Sequence, residues 1–278
     1  MAPPPEQPRR LIVNADDFGR SPDINEAVRA AHRDGILTTA SLMVNEPHAA
    51  AAVELARHNP RLGVGLHLTL LCGRAAQTSA EAPGLVDAAG RFADAPVRVG
   101  LRYFFRRDLR AALRAEIRAQ FAAFAATGLP LDHVNGHLNL HLHPVVFRLL
   151  LGELTGRPPA GFRLTRDRFR LNARLAGGQW AYRVSHALIF GLLSARAQPR
   201  VRATGWRATD TVFGLLQNGR VDEVFVLRLL AVLPPGDSEL YSHPSLTEAR
   251  HEFAALVSPR VIQAVRERAI QLIRYQDL

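Results

Sequence analysis

The chain contains no lysine; all 35 of its basic residues are arginine. Schiff-base chemistry and a P-loop lysine are therefore excluded. Cysteine occurs once, at Cys72, so no disulfide can form within the chain, which fits a reducing compartment. Cys72 has no thiolate-activating partner beside it in sequence and reads as inert. No apolar run reaches the roughly 18 residues that a membrane span needs. The opening "MAPPPEQPRR" lacks the apolar core of a signal peptide. Residues 1–9 read as a disordered leader and 10–278 as a single domain, expected in the cytoplasm. No Gly-x-Gly-x-x-Gly follows the first apolar segment, which argues against a dinucleotide site.

What is present is a 278-residue chain, 47% hydrophobic, with a net charge of +10. That is enough apolar material for a large core, and arginine-rich faces suit anionic partners. The arginines are spread over several predicted helices and form no nucleic-acid motif, so nucleic acid is not an expected partner. Short apolar strands alternate with amphipathic helices. "RLIVNAD" reads as a strand, followed by a helix over "PDINEAVRAAHRD" with Ser21 as N-cap and Pro22 at its first position. "TTASLMVN", "RLGVGLHLTL", "PLDHVNGH", "GFRLTR", part of "GWRATDTVFG" and "SELYSHP" read as further strands. "LRYFFRRDLRAALRAEIRAQFAAFAATG" reads as one long helix, and two helices close the chain. The alternation predicts an α/β fold with a parallel sheet: a TIM-barrel-like (β/α) barrel, complete or incomplete, of about seven strands.

The polar residues of interest fall where those strands end. Asp16 and Asp17 close the first, His67 lies near the end of the third, His133 and His137 flank the end of the fourth, and His243 ends "ELYSH". In a (β/α) barrel these ends converge on one mouth, where active sites are built. Carboxylates and imidazoles arriving there together suit a divalent metal, with one acid free to take a proton from water. Each residue alone has an ordinary explanation. Acids favour helix N-termini, and a lone histidine is more often structural than a ligand. His143-Pro144 reads as the start of a helix, and His32, His48, His58, His186 and His251 as structural or surface residues.

"NADDFG", "GLHLTL", "DHVNGHLNLHLHP" and "ELYSHPS", in this order and spacing, resemble the YdjC/ChbG-like carbohydrate deacetylases. "GLHLTLLCGR" and "YFFRRDLRAALRAEIRAQ" are most similar to the hopanoid biosynthesis-associated branch, HpnK. The resemblance implies a TIM-barrel-like fold and metal-dependent removal of N-acetyl groups from sugars. It implies Asp16 as general base, His243 as general acid, and Asp17, His67 and His137 as ligands of a Mg²⁺ or Zn²⁺ ion, with His133 and His141 as alternative ligands. Relatives commonly carry His-x-Asp-Ser-His-x-His, where this chain has Asn135, Gly136 and Asn139. An uncharged Asn135 is expected to orient its neighbours more weakly than an aspartate, or differently.

Two stretches, 98–118 and 180–196, interleave arginine with aromatic or apolar residues. Such helices can lie in a membrane interface, or can turn their apolar stripes to the strands of the barrel. The first reading fits acetylglucosaminyl hopanoid as substrate and peripheral contact at the inner membrane face. A soluble chitooligosaccharide is the alternative substrate. A metal-dependent phosphoesterase and a non-catalytic arginine-rich binding protein are the rival classes. Adjacent Asp16 and Asp17 do not resemble two carboxylates facing each other across a glycosidic bond.

Overall fold

The computed structural model describes residues 7–278; residues 1–6 of the expected leader lie outside it. Strand β1 (Arg9–Phe18) takes up the end of that leader and is followed by α1 (Pro22–Asp34), β2 (Thr39–Leu42), α2 (Ala49–Arg57) and β3 (Gly63–Leu68). An irregular excursion leads to α3 (Pro96–Phe105) and α4 (Arg110–Ala126), then β4 (His133–Gly136) and α5 (Pro144–Leu154). The second half runs β5 (Gly161–Phe162), α6 (Phe169–Leu175), α7 (Trp180–Ala203), β6 (Thr211–Phe213), α8 (Glu223–Ala231) and β7 (Gly236–Ser242). Helices α9 (Arg250–Val257) and α10 (Pro259–Glu267) and a short β8 (Gln271–Leu272) close the chain.

Every pairing between strands is parallel, and seven of the strands follow one curled path, β5-β4-β3-β2-β1-β7-β6, with β8 added beside β1. The fold expected from the sequence is the one found, an incomplete TIM-like barrel. Its two ends approach each other: Phe162 N donates to Arg207 O at 2.7 Å and Arg207 N to Ala160 O at 3.0 Å.

The strands sort their side chains with period two. Leu11, Val13 and Ala15 of β1, Val64, Leu66 and Leu68 of β3, and Leu240 of β7 join the core under the helices. The alternate positions face the barrel interior, and most of them are polar and buried: Asn14, Asp16, Ser41, His67, His133, Asn135 and Glu239. Gly65 leaves the space that the His133 ring fills, since a Cβ there would sit 2.5 Å from it.

Two sequence-based elements differ, and two further elements appear. The long helix over 101–128 is two helices, because Arg106 is extended (φ −84°, ψ 95°) and a 3-10 turn at Arg107–Leu109 redirects the chain. The break lets Tyr103 and Leu109 both bury. The strand over "GFRLTR" is confined to Gly161–Phe162, although Arg163 N still donates to Val134 O at 3.1 Å. Helix α6 and the 3-10 turn at Tyr275–Asp277 were not expected. That turn stacks Tyr275 on His133, with ring centroids 4.8 Å apart, and its hydroxyl donates to Glu239.

Candidate active site

Alternation puts Asp16 inside the barrel and would turn Asp17 away. A bulge prevents this. The β1–β2 register shifts between Ala15 and Phe18, and Asp17 takes a left-handed backbone (φ 65°). Non-glycine residues adopt that conformation at a cost of about 1–3 kcal/mol, and it is concentrated at functional sites. Both carboxylates thereby reach the His67 ring: Asp16 Oδ1 lies 3.8 Å from Nδ1 and Asp17 Oδ1 lies 3.3 Å from Nε2.

His137 Nδ1 meets Asp17 Oδ1 at 2.9 Å, while Arg20 donates to Asp17 Oδ2 at 2.9 Å. Donor atoms of Asp17, His67 and His137 all lie within 4.8 Å of one another, and all three residues are buried. The donor chemistry fits a divalent cation. Asn135 turns its amide nitrogen to Ser41 (2.8 Å) and Asp16 (3.2 Å), so its oxygen accepts from His67 Nδ1 at 2.7 Å. In neutral His67 the Nε2 lone pair then faces a carboxylate oxygen, and this buried nitrogen has no hydrogen-bond partner. Two facing lone pairs need a cation between them, either a proton or a metal. Burial pushes the His67 pKa down, but Asp16 and Asp17 outweigh it and the net shift is upward.

Asp16 is held separately. It accepts from Asn14 at 2.8 Å, from Asn135, and from Arg163 through both guanidinium nitrogens at 2.7 and 3.0 Å. Burial would raise its pKa; the Arg163 charge, followed by His67, overrides burial and holds it well below the usual carboxylate range. Asp17 is likewise lowered against burial by His137 and His67. His243 stands on the other side of Asp16, with Nε2 4.0 Å from Asp16 Oδ2. Its ring is partly open to solvent, and its backbone N–H donates to Glu252 at 2.6 Å.

The five residues singled out from the sequence therefore lie together. His133 and His141 do not join them. His133 is bonded to Asp132 and Ser41, each at 2.9 Å. His141 donates Nε2–H to Arg163 O at 2.9 Å, and burial pushes its pKa down to about 3. Asn135 orients its neighbours differently from an aspartate, since its oxygen contacts His67 while its nitrogen donates to Asp16 and Ser41, a donor that a carboxylate lacks. Asn139 is spent on Thr165, whose hydroxyl it accepts at 2.8 Å.

The sequence reading missed Arg163. It is buried, bridges Asp16 to Glu239 (2.6 Å), and lies 4.3 Å over the Tyr241 ring. Its signal was an arginine at an alternate position of a segment otherwise read as a buried strand.

The comparisons agree with this architecture. A carbohydrate deacetylase of Geobacillus stearothermophilus is 30% identical over 97% of this chain and 98% of its own length. A carbohydrate deacetylase of Brevibacillus brevis is 42% identical over 51% of this chain, and the match spans 54% of that protein. The fold is shared with a crystal structure from Enterococcus faecalis V583 at 22% identity and a TM-score of 0.74, covering 97% of this chain and 98% of that one. The family model described as YdjC-like protein matches residues 10–267, and the chain belongs to that family.

Proposed function

We propose that this chain is a metal-dependent carbohydrate N-deacetylase. The observation that carries the reading is the buried Asp17–His67–His137 cluster, with a partnerless Nε2 aimed into it and a second, separately held carboxylate, Asp16, beside it. The named function of the relatives supports it. Asp17, His67 and His137 would hold a Mg²⁺ or Zn²⁺ ion. When bound, such an ion supplies Lewis acidity to an amide carbonyl and acidifies water.

The chain's own residues supply the proton transfers. Asp16 accepts a proton from the attacking water. Arg163 and Asn135 fix its position and keep it ionised at working pH. His243 donates a proton to the departing nitrogen, because an amide anion is too basic to leave. One water and one N-acetyl group thus become acetate and a free amine.

The substrate is an N-acetylglucosamine unit. The similarity of the long motifs to the hopanoid-associated branch favours acetylglucosaminyl hopanoid, reached at the inner face of the membrane. The relatives' description as carbohydrate deacetylases favours soluble chitooligosaccharides as the second reading. Asp16→Asn is the test. It should retain metal and lose at least ~100-fold in turnover, the usual scale for a general base. Near-normal acetate release from that variant would remove Asp16 from the role.

A further inference from the structure

Solvent-facing large apolar side chains are concentrated on two helices of this molecule. Helix α3 exposes Val97 (78%), Leu101 and Phe105 (71%). The first half of α7 exposes Trp180, Leu188 (69%), Ile189 and Leu192. Leu138, in the turn directly after the candidate ligand His137, is 48% exposed. Elsewhere among the described residues such side chains are thinly spread, at Val224, Val232, Leu246 and Leu272. The two helices were candidates for burying apolar stripes against the barrel. Each does bury one side, α3 through Val99 and Tyr103, and α7 by packing Ala187 and Phe190 near Leu215, Leu216 and Tyr241. The exposed residues are a surplus beyond those stripes.

Their placement is specific. Helix α3 follows the excursion from the C-terminal end of β3, and α7 runs back toward β6, so its first half lies on the side where the strands end. Both border the start of α5. The Phe104 ring stands edge-on to His143 at 6.2 Å, and Leu193 of α7 lines one cavity with Pro144 and Phe147 of α5. The apolar surface therefore borders the mouth that holds Asp17, His67 and His137.

Charge selects the occupant. No Asp or Glu occurs from 95 to 107 or from 168 to 209. Arg98, Arg107 and Arg196 are exposed and pair with no carboxylate among the described residues. A two-fold contact with a second copy would bring these arginines face to face. An anionic lipid surface meets both features, since apolar and aromatic side chains enter the acyl boundary while arginines stay at the headgroups.

We propose that α3, Leu138 and the first half of α7 form a docking surface for an anionic bilayer, which sets the barrel mouth at the headgroup level. Only the meaning of that placement rests on the deacetylase reading; the docking itself does not. The test is co-sedimentation of the full chain with phosphatidylcholine vesicles, with and without phosphatidylglycerol. Retention should be several-fold greater on the phosphatidylglycerol vesicles and should fall with added salt. Leu188→Ser with Ile189→Ser, and separately Phe105→Ser, should lower retention with circular dichroism unchanged. Arg98→Gln with Arg196→Gln should remove the preference for phosphatidylglycerol.

Three results would overturn the proposal: no retention of folded protein on either vesicle, retention unaffected by all these variants, or a solution dimer that Ile189→Ser dissociates. Acetate release from soluble diacetylchitobiose is measured on the same preparations. Its absence, together with absence of acetate from acetylglucosaminyl hopanoid in mixed micelles, alongside normal vesicle binding would count against the deacetylase reading and leave the docking surface standing.

Discussion

At the scale of single residues, the site works by holding charges in fixed states. Asp16 stays ionised because Arg163 and two asparagine amides donate to it, while Oδ2, bonded to Arg163 alone, keeps a free lone pair. His67 presents Nε2 because Asn135 occupies Nδ1. Asn135→Leu should therefore lower metal affinity by about 10–100-fold, the usual effect of losing an orienting partner. Competition against a chromophoric chelator reads this directly, and unchanged affinity would sink the orienting role. Asp167 offers a separate check on buried charge. Burial pushes its pKa up to about 7, against the lowering effect of its bonds to Leu216 and Asn172. The folded state then binds more protons than the unfolded one between about pH 4 and 7, so stability falls as pH rises through that window. Asp167→Asn should flatten that decline in urea unfolding at pH 5 and pH 8. The participants Asp16, Asp17, His67, His137 and His243 were legible in the sequence as strand-end residues. Their convergence was not, because strict alternation would have sent Asp16 and Asp17 to opposite faces. Only the bulge and the left-handed Asp17 reconcile them.

At the scale of elements, the strands were easier to read than their ends. Short apolar runs located β1, β2, β3, β4 and β7, and Ser21-Pro22 started α1 where expected. The break between α3 and α4 has no local signal. Neither proline nor glycine lies at Arg106, and the chain turns there to bury Leu109. The C-terminal turn was equally hidden, since Tyr275 takes its place only by filling space left by Gly161 and stacking on His133. A Cβ at Gly161 would fall 2.2 Å from its ring. Within β3, Gly65 does the same for the His133 ring. Gly65→Ala should destabilise the fold by about 1–3 kcal/mol, the usual cost of overpacking a filled interior. Chemical denaturation would check it, and a neutral result would mean that His133 can shift without cost.

At the scale of the whole molecule, one curled sheet separates two environments. Its outer face carries the apolar core under the helices, and its inner face carries a continuous polar network from Tyr275 through Glu239 and Arg163 to Asp16. On the proposed metal-dependent mechanism, protons and metal compete at the mouth above that network. Asp16 is protonated only well below the usual carboxylate range, so an acidic limb near neutral pH cannot come from it. It should come from His67, whose raised pKa makes Nε2 take a proton in place of metal as pH falls. Excess metal should move that limb to lower pH, and a limb indifferent to metal concentration would contradict the assignment. The most direct measurement is acetate release from an N-acetylglucosamine substrate by chelator-treated protein, before and after Mg²⁺ or Zn²⁺ is restored. The account predicts little acetate from the stripped protein, recovery on adding metal, and no recovery in a His67→Ala variant. Undiminished acetate release from metal-free protein, or hydrolysis of a phosphomonoester in its place, would contradict it.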